Sequence, residues 1–192
     1  YFVMTKYVEV GGHGCVLEMV SKLSDGRWLD MGGHRMLLDR GANFDRSVFA
    51  DSLTGAYSRR YFEKFLADSE QAGGVAMIDV DRFKEATDRF GHLVGDKALQ
   101  AVANAVQSNL RQSDILIRYG GDEFVLLFEK ISKEVFEQRI VQIEEAVAKE
   151  HIPGHPEVPL GVDVGGAYQV RPLSEAIRIA DENMYARKRR EV

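Results

Sequence analysis

Two short stretches of the chain carry acids where acids pack poorly. In MIDVDRFK, residues 77–84, Asp79 and Asp81 end an apolar run; in DILIRYGGDEFVLLFEK, residues 114–130, Asp122 and Glu123 separate two runs of Ile, Leu, Val and Phe. Taken singly, each has an ordinary reading, a strand cap for the first and a solvated hairpin tip for the second. If the strand and the hairpin are neighbours in one sheet, however, Asp79 and Asp122 meet at one edge of the domain. Two carboxylates that close repel, so one takes up a proton unless a cation lies between them. Oxygen-only ligands of this kind suit Mg²⁺, which completes its shell with water and phosphate oxygens. The run DVDRFK also passes from strand into helix, where backbone N–H groups bind phosphate and Lys84 adds positive charge. Metal-binding carboxylates beside a phosphate cradle are the parts of a phosphoryl or nucleotidyl transfer site.

The elements that must hold these residues follow from periodicity. GGVAMIDV is short, apolar and bounded by glycines, which predicts a buried strand ending at Asp79. ILIRY and FVLLFEK make two strands around GGDE, a hairpin marked by its paired glycines. SRRYFEKFLADSE reads as a helix with Ser58 as N-cap and Tyr61, Phe62, Phe65 and Leu66 on one face. RFKEATDRF is a helical stretch broken at Gly91. Further helices are expected over 96–110, with Asp96 as its N-cap, and over 133–150, the latter stopped by HIPGHP. PLGVDVGGAYQV is a strand and PLSEAIRIADENMYARKRR a last helix with a basic end suited to the helix dipole. This order predicts an α+β class, a mixed central sheet with helices against one face in a palm-like arrangement. Upstream, YFVMTKYVEV and CVLEMVSKL flank GGHG as a hairpin too small to bury a core alone. Residues 1–43 are therefore expected to be a β-rich fragment, the tail of a PAS-like sensor domain, joined by a linker at 44–57 to a domain at 58–192.

Composition narrows the class. The 192 residues are 45% hydrophobic and 29% charged, as in a globular protein, and the net charge of −5 gives no broad basic field for long nucleic acid. A single cysteine, Cys15, excludes an internal disulfide and a cysteine-based zinc cluster. With no run of membrane-span length, the expected location is cytoplasmic, with membrane attachment only through a region upstream of this sequence.

RYGGDEF, residues 118–124, resembles the signature of the GGDEF family of diguanylate cyclases. DSLTGAYSRRYF resembles the family's opening motif, DVDRFKEATDRFGHLVGDKAL its metal and guanine segment, and ADENMYARK its closing helix, in order and at matching spacing across residues 51–188. The resemblance implies the family's nucleotidyl-cyclase fold and a homodimer in which each domain holds one GTP with Mg²⁺ or Mn²⁺, at most two ions per half-site. The 3′-hydroxyl of one GTP attacks the α-phosphorus of the other, twice, giving cyclic di-GMP and two pyrophosphates. It implies Asp79 and Asp122 as metal ligands with the Val80 carbonyl assisting, and Glu123 as either a further ligand or the base for the 3′-hydroxyl. Gly120 and Gly121 would let ribose and α-phosphate approach the backbone. Arg82, Phe83 and Lys84 would hold the β- and γ-phosphates, with Lys84 and Glu123 as the catalytic pair and Lys188 reaching in from the last helix. His92 and Asp96 fall where the family contacts guanine.

RQSD, residues 111–114, matches the family's RxxD inhibitory product site, with Arg111 able to fork onto guanine O6 and N7 and Asp114 able to accept from its N1–H and N2–H edge. Three positions depart from the family pattern. Thr87 replaces an asparagine that contacts guanine; KRREV replaces a Gly-Arg ending, leaving Arg189 or Arg190 as substitutes; and GVDVGGA replaces a more apolar strand, a change expected to matter for packing. Two rivals to the cyclase remain open at this level, a non-catalytic GGDEF module acting as a GTP or cyclic di-GMP receptor, and an enzyme making an adenine-containing cyclic dinucleotide.

Overall fold

The computed structural model describes the backbone of residues 2–10 and 13–21 and, with side chains, residues 49–67, 69 and 73–189. The chain forms two compact units, Tyr1–Asn43 and Phe44–Val192. In the first, β1 (Phe2–Val10) and β2 (His13–Ser21) pair antiparallel from Phe2↔Ser21 to Val10↔His13, the hairpin expected around GGHG. The start of the expected linker, residues 44–48, lies outside the described residues.

The second unit runs β3 (Tyr57–Ser58), α1 (Arg59–Phe65), β4 (Gly74–Val80), α2 (Phe83–Phe90), α3 (His92–Ser108), β5 (Ile115–Arg118), β6 (Glu123–Phe128), α4 (Lys133–Ala148), β7 (His151–Ile152), β8 (His155–Pro159), β9 (Val162–Tyr168) and α5 (Leu173–Lys188). Five strands form one sheet in the order β3-β5-β6-β4-β9, with β3 parallel to β5 and every other pair antiparallel. Thus β4 lies between β6 and β9, and its C-terminal end is flanked on both sides.

Helices cover both faces of this sheet, not one as expected. Ile78, Phe124, Leu126, Phe128 and Val164 pack with Leu99, Val102 and Val106 of α3 and Phe136, Ile143 and Val147 of α4. On the reverse face Val75, Met77, Val125 and Leu127 pack with Tyr61 and Phe62 of α1 and Ala176, Ile177 and Met184 of α5. The reason is already in GVAMIDV, which lacks polar residues at alternate positions and so needs cover on both sides. Each fully buried Phe or Ile here stabilises the fold by about 1.5–3 kcal/mol. Among the described residues no helix is long and apolar enough to cross a membrane.

Three boundaries differ from expectation. Helix α3 begins at His92 rather than at Asp96, with Gly91 at its cap in a left-handed conformation (φ 88°). Asp96 therefore lies inside the helix, one turn after His92, and caps nothing. Gly95 is a poor helix former, but a Cβ there would meet the Thr87 methyl at 2.4 Å, so the close approach of α2 and α3 explains the glycine. HIPGHP does stop α4, but then forms the small β7–β8 hairpin, turning at Gly154 with φ 83°. Ser58 has the extended conformation of an N-cap, yet its side chain makes no capping hydrogen bond.

Helix α5 lies unusually close to β9. A Cβ at Gly165 would come within 2.1 Å of the Ala180 carbonyl oxygen and 2.2 Å of the Met184 nitrogen, both backbone atoms that cannot rotate away. Gly165→Ala should therefore lower stability by about 1–3 kcal/mol through overpacking, read from the midpoint of urea denaturation. An unchanged midpoint would mean that α5 is free to ride outward.

Candidate active site

The register of the sheet concentrates acids at one end of β4. Asp79 is paired directly with Glu123 on β6 and with Asp163 on β9. The Val80 N–H donates to the Asp122 carbonyl at 3.2 Å, which fixes the hairpin turn against the strand end. One residue on, the Asp81 N–H donates to the Gly161 carbonyl at 3.0 Å, and a Cβ on Gly161 would strike the Asp81 carboxylate. Asp81 is consequently held beside Asp163. Burial, a hydrogen bond with Asp163 and the charges of Asp163 and Asp79 push its carboxyl up to about 6, partly offset by Lys188. Burial also raises Glu123, reinforced by Asp122 and Asp79.

A lysine answers this crowding. Lys188, at the end of α5, donates to Asp79 Oδ1 at 2.5 Å and lies 3.2 Å from Asp163 Oδ2. Although its own burial opposes the charged form, these two carboxylates outweigh it and raise the lysine above its ordinary value. Among the described residues, no three His, Cys, Asp or Glu side chains converge as a ready-made ion site. The donors around Lys188 are all anionic oxygens, the set a hard divalent cation takes.

The turn itself is tied down from behind. Arg118 donates through Nη2 to the Gly121 carbonyl at 2.7 Å and through Nη1 to both Asp51 oxygens at 3.1 and 3.2 Å. Asp51 in turn accepts from the Thr54 hydroxyl at 2.7 Å and amide at 2.9 Å. Burial alone would raise Asp51, but Thr54 and Arg118 together hold it below the usual carboxylate range. A Cβ on Gly120 would fall 2.3 Å from Glu123 Oε2, so this glycine makes room for the glutamate of its own hairpin, whereas Gly121 faces open space.

The family model described as "Diguanylate cyclase, GGDEF domain" matches residues 48–192. The chain belongs to the GGDEF family. It is 35% identical over 154 residues to the diguanylate cyclase DosC of Escherichia coli, an alignment covering 74% of this chain and 34% of that protein. Among solved structures it is similar to the diguanylate cyclase SiaD, in complex with its activator SiaC, from Pseudomonas aeruginosa, with a TM-score of 0.71, 27% identity, and coverage of 81% of this chain and 64% of that one. The GGDEF domain of DgcB from Caulobacter crescentus, in complex with cyclic di-GMP, shares the fold at a TM-score of 0.65 and 24% identity, over 73% of this chain and 90% of that one. The chain spans well under half the length of the curated relatives it matches.

Within this GGDEF domain the sequence-identified residues fall into three groups. Asp79, Val80, Asp122, Glu123 and Lys188 lie at the C-terminal end of β4 through the Asp79–Glu123 register, the Val80–Asp122 backbone bond and the Lys188–Asp79 contact, with Arg82, Phe83 and Lys84 following at the start of α2. Arg82 caps that helix in the left-handed region (φ 49°), which aims the chain sharply out of the strand. Thr87, His92 and Asp96 form a second group where α2 meets α3, with the Thr87 hydroxyl donating to the Lys84 carbonyl at 2.8 Å. Arg111 and Asp114 form the third, a turn in which the Arg111 N–H donates to Asp114 Oδ2 at 2.9 Å. It precedes β5, whose far end leads into the GGDEF turn, so the two lie roughly 13 Å apart along the strand. Arg189 lies over the Tyr185 ring at 4.6 Å, and Arg190 is outside the described residues.

Sequence reasoning missed two participants. Asp163 was expected to matter for packing and instead faces the carboxylates; an acid between Val162 and Val164 in a strand was the available signal. The Asp51–Arg118 pair gave none, because its members are joined only by tertiary structure.

The raised carboxyl of Asp81 has a sign that can be checked in metal-free buffer. Its folded value of about 6 exceeds the ordinary 3.8, so between those limits the native state holds the extra proton and stability falls as pH rises. Asp81→Asn, which cannot ionise, should melt a few degrees above the parent at about pH 7.5 and converge with it near pH 4. Parallel melting curves for the two proteins across that window would show that Asp81 is not strained.

Proposed function

We propose that the chain is the catalytic part of a diguanylate cyclase, condensing two GTP molecules into cyclic di-GMP and two pyrophosphates across a homodimer. One observation carries the reading: Asp79 and Glu123 are direct cross-strand partners, with Asp122 bonded to Val80 beside them, at the mouth of a strand-to-helix turn. Mg²⁺ or Mn²⁺ held by Asp79, the Val80 carbonyl, Asp122 and Glu123 would supply positive charge to the phosphate oxygens. The backbone N–H groups at Arg82, Phe83 and Lys84 are those of a helix start, which suits the β- and γ-phosphates, and Lys84 adds charge on the same side. Glu123, the cross-strand partner of Asp79, serves either in that ligand set or, off the ion, as the base that takes the 3′-hydroxyl proton.

Base selection falls to the corner between α2 and α3. Asp96, exposed one turn into α3, can accept from guanine N1–H and N2–H, which adenine does not offer, and His92 stands on the same face. Thr87 commits its hydroxyl proton to Lys84, leaving oxygen lone pairs for the base or a bridging water. The RQSD turn lies apart from the carboxylates, as a separate inhibitory site for product would require. The GGDEF domain of DgcB, which shares the fold, is found in complex with cyclic di-GMP, so a domain of this shape can hold the product.

Incubation with GTP and Mg²⁺ should yield cyclic di-GMP, with ATP a poor substitute. Asp79→Asn should lower turnover by about a thousandfold or more, since it removes anionic charge from the metal. Tight GTP binding with no product in the parent protein would favour a receptor instead. Arg111→Ala should weaken cyclic di-GMP binding in calorimetry by about ten- to a hundredfold and relieve product inhibition, as expected for loss of a charge-assisted hydrogen bond. Parent-like binding by that variant would reduce RQSD to a helix-to-strand turn.

A further inference from the structure

Lys188 supplies a cation where the site needs one, and the fold fixes it there. Asp79 and Asp163 are cross-strand partners with side chains only 19% and 14% exposed, and the ammonium touches both. The end of α5 that presents it is clamped to β9. Asn183 donates to the Gly166 carbonyl at 2.8 Å, and Arg187 donates to the Val164 carbonyl at 2.7 Å while pairing with Glu144 at 2.9 Å. With Gly165 setting the depth of the helix, Lys188 has a short and defined reach.

We infer that Lys188 is a displaceable counter-ion, neutralising Asp79 while no metal is bound, and that Asp163 is a positioning residue that keeps the ammonium beside the site once a divalent cation takes Asp79. This rests on the reading of Asp79 as a metal ligand. An ammonium and a divalent cation repel at contact distance, so metal entry breaks the Lys188–Asp79 contact. A lysine then loses its anchor and regains the freedom of a four-carbon stem. Asp163 is a second anchor on the same atom, outside the expected metal set. It holds the displaced charge within reach of the triphosphate instead of releasing it to water, so the two carboxylates divide the work. Asp79 exchanges its partner, and Asp163 retains it.

The test uses the whole chain without nucleotide and reads free Mn²⁺ by electron paramagnetic resonance. Lys188→Met should bind Mn²⁺ about tenfold more tightly than the parent, since metal no longer displaces a partly buried ion pair. Lys188→Arg, which keeps the charge, should bind as the parent does. Lys188→Met binding no more tightly than the parent, or Lys188→Arg binding as tightly as Lys188→Met, overturns the counter-ion role. A second arm measures, at saturating Mn²⁺, the affinity for an α,β-methylene analogue of GTP. Asp163→Asn should weaken it several-fold in the parent and leave it unaltered in the Lys188→Met background. Equal losses in both backgrounds would show that Asp163 does not act through Lys188. Neither arm depends on turnover. Failure to form cyclic di-GMP would therefore sink the cyclase reading without touching this one, and normal turnover with failed titrations would do the reverse.

Discussion

The site is organised by like-charge repulsion at the end of one strand. Antiparallel pairing on both sides of β4 sets Asp79 between Glu123 and Asp163; Asp81 follows directly after the strand, and the β5–β6 turn brings Asp122 against Val80. Backbone hydrogen bonds impose this register, so the acids cannot separate without breaking the sheet. The crowding has two counterparts: burial, together with Asp163 and Asp79, pushes the Asp81 carboxyl upward, and Lys188 lies against Asp79. A concentration of negative charge at the strand end is the consequence, and a basic helix end is its built-in partner.

Rigidity around those acids comes from ordinary structural devices. Arg118 joins the Gly121 carbonyl to Asp51, and Thr54 completes the carboxylate's hydrogen bonds, so the opening motif of the domain braces the GGDEF turn. This pair is partly buried, with side chains 18% and 21% exposed, which separates it from the surface ion pairs along α1, α4 and α5. Exposed pairs of that kind contribute little; a half-buried pair with backbone partners holds geometry. Gly120 completes the turn by yielding its side-chain space to Glu123.

Much of this was legible in the residue order, because strands ending in acids, paired glycines in a hairpin and a strand-to-helix run are local patterns. The adjacency of β4 and β6 could be posed as a condition and is what the sheet contains. What escaped were features set by tertiary register. Lys188 and Asp79 are separated by 109 residues, and Asp163 reads as an oddity of its strand until β9 is paired with β4. The start of α3 was misjudged because Gly95 argues against a helix on propensity alone, whereas its packing against Thr87 decides the matter. The one-face sheet failed similarly: GVAMIDV is apolar up to Asp79, and which helices cover which side depends on topology rather than on any local period.

The exchange of partners at Asp79 can be seen directly in a crystal structure of the chain with Mn²⁺ and the α,β-methylene analogue of GTP. The expected result is an ion coordinated by Asp79, with the Lys188 ammonium withdrawn from that carboxylate and still within hydrogen-bond distance of Asp163. An ion bound with the Lys188–Asp79 contact intact, or an ion held away from Asp79, would contradict it.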